Sequence, residues 1–225
     1  MIKINKSDNS KYFNWEISNF NKAANYWLTF LPKVIGKITS LELGSGNGDI
    51  SMIFSDLKYS CIYSTDIKKI DKNQKITNKN NKIKFKQIDV LNIDFPDSSF
   101  DVIGCKSLLG GISKNNKSNI HIATKEIYRV LKKGGMFIFA ENIEGAFLHR
   151  IIRKYFKSSG WYYPKLNHFI KSLEKFEEIN YETTGFLTMI SRNEKIKDKL
   201  FIIDEVLKNI ISEESKYIIY GVAKK

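Results

Sequence analysis

The stretch Leu41-Glu42-Leu43-Gly44-Ser45-Gly46-Asn47-Gly48-Asp49-Ile50 constrains this chain more than any other, because it joins a short apolar strand to a helix through three alternating glycines. Glycine removes the side chain where the backbone must turn tightly or where a ligand atom approaches the main chain. The helix that follows presents unpaired N–H donors at its first turn. Such a loop lets the backbone touch a nucleotide-like ligand. A carboxylate is then expected on the next strand, and Asp66 closes the apolar run Cys61-Ile62-Tyr63-Ser64-Thr65, near the ~20-residue offset at which an acidic side chain holds a ribose diol. A G-x-G-x-x-G dinucleotide fingerprint would need glycine at position 49, where this chain has Asp49; its glycines at 44, 46 and 48 read G-x-G-x-G. Glu42, two residues before the first glycine, would repel a pyrophosphate and suits a ligand that carries an ammonium group.

The acidic residue, the glycine spacing and the strand-loop-helix setting resemble the first motif of the class I S-adenosylmethionine-dependent methyltransferases. Further matches follow in order. Ile83-Lys84-Phe85-Lys86-Gln87-Ile88-Asp89-Val90 reads as a third strand ending in Asp89, which resembles the family carboxylate that accepts from the adenine amino group. Phe95-Pro96-Asp97-Ser98-Ser99-Phe100-Asp101-Val102-Ile103 resembles the turn into the fourth strand, with polar turn chemistry and an apolar exit. Glu126-Ile127-Tyr128-Arg129-Val130-Leu131-Lys132-Lys133-Gly134-Gly135 resembles the helix, glycine turn and fifth strand, with Lys133 at a position often held by proline; Gly134 or Gly135 is expected to supply the left-handed helix stop. The resemblance covers residues 38 to 142. It implies S-adenosylmethionine as cofactor, held by Glu42, Gly44, Ser45, Gly46 and Gly48 from the loop, Asp66 and Ile67 after the second strand, Asp89 and Val90 after the third, and Cys105 on the fourth.

Periodicity extends the reading to the whole chain. Ile17, Phe20, Ala24, Trp27, Leu28 and Leu31 recur at steps of three and four, so residues 16 to 32 are expected to form an amphipathic helix. Its Tyr26 and Trp27, with nearby Tyr12 and Trp15, are expected to pack rather than to touch a ligand. Strands at 39–44, 60–65, 83–88, 100–106 and 136–141 then alternate with helices at 48–57, 67–76 and 118–132, the pattern of a doubly wound α/β fold with a mostly parallel sheet. Beyond Asn142 the pattern predicts a helix at 145–157, a loop at 158–164 and a helix at 165–174. A strand at 176–190, a helix at 194–210 and a strand at 216–223 resemble the family's closing hairpin, whose last strand inserts antiparallel to give seven strands. The whole chain, 1–225, is thus expected to be one methyltransferase domain: a lid helix region at 1–37, a cofactor-binding core at 38–142, a substrate-side insertion at 143–175 and closing strands at 176–225.

With 225 residues, 42% of them hydrophobic, a full core is expected. No apolar run approaches the ~20 residues needed to span a bilayer, and the polar start lacks the apolar region of a signal peptide, so a cytoplasmic protein without membrane insertion is expected. Cys61 and Cys105 both fall in predicted strands and read as reduced, packed thiols. The net charge of +13 would favour nucleic acid if it were focused. The lysines are scattered, however, and only Arg129, Arg150, Arg153 and Arg192 carry guanidinium groups, so a nucleic-acid partner is not expected. Arg150, Arg153, Lys154 and Lys157 share helical spacing and are expected to form a solvated face, with an acidic substrate or membrane surface as the rival reading.

In an open α/β sheet the ligand lies beyond the carboxyl ends of the strands. Cys105-Lys106-Ser107 and Glu141-Asn142 should therefore face the transferred methyl group. Methyl transfer from a sulfonium is an in-line displacement that depends on alignment in a dry pocket. A hydroxyl acceptor also needs a base, and Glu141, His149 and Lys106 are the candidate catalytic residues, with His168 and His121 read as structural or exposed. A second reading makes Glu141 a carboxylate that orients Lys106 or a loop amide. Lys106-Ser107-Leu108-Leu109-Gly110-Gly111 stands where base-methylating enzymes carry an Asn-Pro-Pro-aromatic or Asp-Pro-Pro-aromatic tetrapeptide, and no acidic cluster suggests a metal. Ala24-Asn25-Tyr26-Trp27, Ala140-Glu141-Asn142 and Thr183-Thr184-Gly185-Phe186 faintly resemble small-molecule methyltransferases of bacterial surface-glycan gene clusters. That resemblance implies a small-molecule acceptor, a sugar hydroxyl on a nucleotide-linked or lipid-linked sugar whose phosphate Arg150 and Arg153 would bind. An RNA or protein methyltransferase, a non-catalytic S-adenosylmethionine-binding protein and a homodimer stay open as alternatives.

Overall fold

The computed structural model describes residues 16–33, 37–68, 82–155 and 160–225. The predicted helix at 67–76 lies outside the described residues from position 69 onward, as do Tyr12, Trp15 and Lys157. Strands β1 (Thr39–Leu43), β2 (Cys61–Asp66), β3 (Ile83–Gln87), β4 (Phe100–Lys106), β5 (Leu131–Asn142), β6 (Glu178–Thr184) and β7 (Ile218–Lys224) form one sheet in the order β3-β2-β1-β4-β5-β7-β6. β1 to β5 pair in parallel, and β7 runs antiparallel to both β5 and β6, which is the topology read from the sequence.

The sheet is covered on both faces. Helix α1 (Ile17–Phe30) buries Phe20, Ala23, Ala24 and Trp27 with α2 (Asp49–Asp56), whose Ile50, Ile53 and Phe54 meet Ile62, Val102, Ile138 and Tyr220 from the strands. On the other face Ile120, Ala123, Ile127 and Val130 of α4 (Asn119–Val130) and Phe169 of α6 (Leu166–Ser172) cover Ile103, Phe137 and Phe139. Three further helices lie at loops: α3 (Leu109–Ile112) after β4, α5 (Phe147–Tyr155) after β5, and α7 (Glu194–Leu207) between β6 and β7.

Two boundaries differ from the sequence reading for a physical reason. α4 ends not at a glycine but at Leu131, which turns extended (φ −71°, ψ 138°) and pairs at once with Phe100. Gly134 takes its left-handed conformation (φ 75°) three residues later, inside β5, where the register against β4 shifts and its N–H reaches the Lys225 carbonyl (2.6 Å). The predicted strand at 176–190 stops at Thr184, and residues 188–190 form a 3₁₀ turn instead.

α1 is tied to the closing segment by buried polar groups. Glu16, at the head of α1, accepts from Lys197 Nζ (2.6 Å) and Tyr217 Oη (2.9 Å), while Asn19 bridges Thr188 and Thr184 (3.0 Å each). Asp204 of α7 accepts from the N–H groups of Phe186 and Leu187 (2.9 Å each).

Candidate active site

The carboxyl ends of β1, β2 and β4 converge where the strand order reverses, between β1 and β4, the place where open α/β sheets take their ligands. Gly44, Gly46 and Gly48 all have positive φ (61°, 49° and 77°), a conformation that is strained for any residue with a Cβ. The Ser45 N–H donates to the Thr65 carbonyl (2.8 Å) and the Gly46 N–H to Asp66 Oδ2 (3.2 Å), which laces the loop to the end of β2. A Cβ on Gly46 would meet nothing within 4 Å, so this side of the loop is open to a ligand. A Cβ on Gly44 would come within 2.6 Å of Leu108 Cδ1, so the Leu108 side chain packs over this glycine. Ser45 is buried, and its hydroxyl has no protein partner.

Asp66 is half-buried at the rim and, among the described residues, accepts at length from the Gly46 N–H (3.2 Å) and the Lys68 N–H (3.3 Å). Ile67 beside it is 58% exposed, and Asp89 is exposed with Oδ1 on the Leu91 N–H (2.9 Å). These three line the outer side of the crevice, whereas Val90 turns into the core.

Glu42 is buried rather than exposed on the crevice. Its carboxylate sits beneath the loop and accepts from the N–H groups of Ile50 (3.0 Å) and Ser51 (2.8 Å), capping α2. Burial pushes its pKa up to about 7, against the opposing pull of those hydrogen bonds. The helix N-terminus, not a ligand ammonium, satisfies this acid. The carboxylate at the rim is instead Asp49, the first residue of α2, whose Oδ2 pairs with Lys106 Nζ (2.8 Å) across the gap between β1 and β4. Burial raises Asp49, and Lys106 opposes that rise. Lys106 Nζ also lies 4.9 Å from the centre of the Phe20 ring, so α1 is held over the crevice. Sequence reasoning noted Asp49 only for breaking a glycine pattern; an acid at the first helical position after the loop was the available signal.

Glu141 plays for β4 the part that Glu42 plays for β1. Its Oε1 accepts from the Leu108 N–H (2.7 Å), the Leu109 N–H (3.1 Å) and the Cys105 thiol (3.5 Å), and burial lifts its pKa to about 7. This matches the expected alternative in which Glu141 orients a loop amide. The turn it holds is strained, since Ser107 has a φ of 50°. Asn142 Nδ2 donates to the Ser107 hydroxyl (3.3 Å). Cys105 is fully buried in the core, so its thiol is withdrawn from the crevice and burial raises its pKa.

His149 is also withdrawn. Its Nδ1 accepts from the Ala146 N–H (3.0 Å) and its Nε2 bonds the Phe186 carbonyl (2.8 Å), which leaves no ring nitrogen for an acceptor's proton. Arg153 does not lie on a solvated face or reach for phosphate. Its guanidinium donates to the carbonyls of Glu144 (2.7 Å) and Ile143 (2.8 Å) and stacks 3.7 Å from the centre of the Tyr163 ring; burial lowers its pKa to about 10. Arg150 pairs with Glu144 (3.2 Å). Among the described residues no group of three or more His, Cys, Asp or Glu is placed to hold a metal, and no helix is long and apolar enough to cross a membrane.

The sheet order, the glycine loop and the acid closing β2 define a Rossmann-like methyltransferase fold. Residues 41–139, less than half of the chain, match the family described as a methyltransferase domain, which supports the resemblance to class I S-adenosylmethionine-dependent methyltransferases. Over 100 residues it is 32% identical to a demethylmenaquinone methyltransferase of Staphylococcus haemolyticus, a match covering 44% of this chain and 39% of that protein. It is 27% identical over 109 residues to YcgJ, an uncharacterized methyltransferase of Bacillus subtilis, covering 45% and 40%. The matches span about two fifths of these curated relatives. Among solved structures, the phosphoethanolamine N-methyltransferase 2 of Haemonchus contortus, determined with S-adenosyl-L-methionine, superposes with a TM-score of 0.66 at 17% identity over 92% of this chain and 52% of that one. A SAM-dependent methyltransferase of Thermotoga maritima superposes at 0.63 with 19% identity over 97% and 96%. At these identities the likeness is one of fold.

Proposed function

We propose that this chain binds S-adenosylmethionine and methylates a small molecule, at the oxygen of a sugar or similar metabolite. The observation that carries the cofactor is the open face of Gly46 beside Asp66 at the strand-order reversal. When bound, S-adenosylmethionine supplies an electrophilic methyl group on a sulfonium. The protein's own residues fit that ligand. Asp66 accepts from the ribose diol, Asp89 from the adenine amino group, and the Ser45 hydroxyl has hydrogen-bonding capacity to spare. Asp49 and Lys106, an anion and a cation at the loop rim, complement the ammonium and carboxylate of an amino-acid end. Lys106 and Ser107 line the acceptor side. Glu141 is a positioning residue, because it fixes the Ser107–Leu109 turn through two amides rather than meeting the acceptor. Rate then comes mainly from alignment in a site that α1 shields from water. A small acceptor is favoured over RNA because Arg153, one of the two arginines the sequence offers to a phosphate, is consumed by backbone carbonyls.

Isothermal titration with S-adenosylmethionine, S-adenosylhomocysteine and NAD tests this. Binding of the two adenosyl-sulfur ligands alone is expected, followed by methylated product from a sugar-containing metabolite extract. Binding of NAD alone would overturn the assignment. Tight cofactor binding without turnover on any extract would leave a non-catalytic S-adenosylmethionine-binding protein.

A further inference from the structure

Helix α5 is inside out. At roughly 100° per residue, Phe147, Leu148, Ile151 and Tyr155 fall within one arc, with Arg150 and Lys154 on its flank and His149 and Arg153 on the opposite side. A helix on a globular core turns its apolar arc inward. Here the inward side is polar: His149 is completely buried between two backbone groups, and Arg153 holds the carbonyls that end β5. The apolar arc faces out, with Phe147 66%, Leu148 40% and Tyr155 75% exposed. Because the inward bonds fix the helix phase, α5 cannot rotate to hide that arc without breaking them.

The neighbouring segment shares the character. α5 touches residues 188–190, and Ile190, Ile202, Val206 and Ile210 just beyond are all more than half exposed. Among the described residues, the well-exposed large hydrophobic side chains fall in 147–155 and 190–210 with two exceptions, Ile67 and Ile122. Exposed apolar surface gathered in one part of a chain marks an interaction surface.

We propose that α5 seats this protein on an anionic lipid bilayer, with Phe147, Leu148, Ile151 and Tyr155 entering the headgroup boundary and Arg150 and Lys154 meeting lipid phosphates. Charge complementarity selects this occupant: the outward side of α5 carries Arg150 and Lys154 and the helix has no acid, on a chain of net charge +13. Aromatic and aliphatic residues flanked by cations are the composition of an interfacial helix, whereas protein–protein seams are poor in lysine. α5 follows the carboxyl end of β5 after only Ile143–Ala146. A lipid-held acceptor would then arrive from the bilayer; that last step rests on the proposed methyltransferase activity, and the docking does not.

Co-sedimentation with vesicles of phosphatidylcholine, with and without phosphatidylglycerol, decides it. The protein is expected to pellet with the anionic vesicles. A Phe147→Ser/Tyr155→Ser double variant should lose at least about tenfold in partition. An Arg150→Gln/Lys154→Gln variant should lose about fivefold per cation on anionic vesicles and nothing on neutral ones. All four side chains are outward, so cofactor titration and melting temperature should match the wild type, which separates this test from that of the cofactor. Failure of the wild type to pellet at low salt, or undiminished pelleting of the serine variant, would overturn the proposal. So would a wild-type dimer in sedimentation equilibrium that the serine variant dissolves while vesicles bind neither, because a second copy would then own the surface.

Discussion

The half of the molecule that carries the glycine loop and the half that follows β5 are built on opposite plans. From β1 to β4 the interior is apolar, and its two buried acids, Glu42 and Asp49, are matched to a helix N-terminus and a lysine. After β5 an apolar core continues through Phe169, Leu173, Ile219 and Val222, but polar groups also turn inward, His149, Arg153, Asp204, Lys197 and Tyr217, joined to backbone and to Glu16, while isoleucine, phenylalanine and tyrosine side chains of residues 147–155 and 190–210 face out. The first half is positioned by burial, which tolerates small displacements. The second adds directional bonds to its apolar core, and those do not.

The largest expected effect tests the second plan. Lys197→Ala strands the buried Glu16 carboxylate and should cost about 3–5 kcal/mol in urea unfolding; a loss below about 1 kcal/mol would erase the contrast between the halves.

The next concerns the two acids that cap helices from within the sheet. Glu42 and Glu141 are each raised from the ordinary carboxylate range to about 7 by burial. Between those limits the folded state binds more protons than the unfolded one, so stability is fullest below the unfolded pKa and falls as pH rises through about 7. Each group accounts for roughly 3 kcal/mol of that decline. Glu42→Gln should flatten the fall in stability between pH 5 and pH 8 by about half, with Glu141 supplying the remainder, and should leave affinity for S-adenosylmethionine within about threefold. A hundredfold loss of affinity would return Glu42 to the ligand.

Asp66→Ala should do the reverse. Loss of charge-assisted bonds worth about 1.5–3 kcal/mol weakens the cofactor by at least about tenfold in calorimetry, with little change in melting temperature. Gly46→Val should match it, with an added strain of about 1–2 kcal/mol from its left-handed φ. Smallest is Asn193→Ala, which removes the cap that accepts from the Lys195 and Ile196 N–H groups and should cost about 1 kcal/mol.

The contrast also explains what was legible in the sequence. The strands, the loop and Asp66 could be read because apolar runs and glycine spacing are local signals that the core of an α/β sheet obeys, and the antiparallel end of the sheet followed from the resemblance to the family's closing hairpin. Glu42 and Glu141 were found at the right strand ends; the alternative in which Glu141 orients a loop amide is the arrangement seen, whereas the α2 amides as partners of Glu42 were not expected. Their sequence positions do not reveal that each carboxylate lies under the backbone amides of a turn several residues away. α5 was legible as a helix, with its cations at helical spacing, yet periodicity gives only the existence of two faces. Which face turns inward was decided by the free carbonyls of Ile143 and Glu144 and by the groups around His149, none of which a single segment displays. Asp49 and Ser107 were missed as features for a similar reason: one gains its meaning from Lys106 on a distant strand, the other from a dihedral angle.

The Leu108 side chain fills the space that a Cβ on Gly44 would need, and its own N–H is gripped by Glu141. Positions 44, 108 and 141 therefore form one mechanical unit spanning three strands, and their sequence histories should be tied. In descendants of this chain a residue larger than glycine at 44 should appear only alongside a smaller one at 108, even though nothing in the chemistry of methyl transfer asks for either.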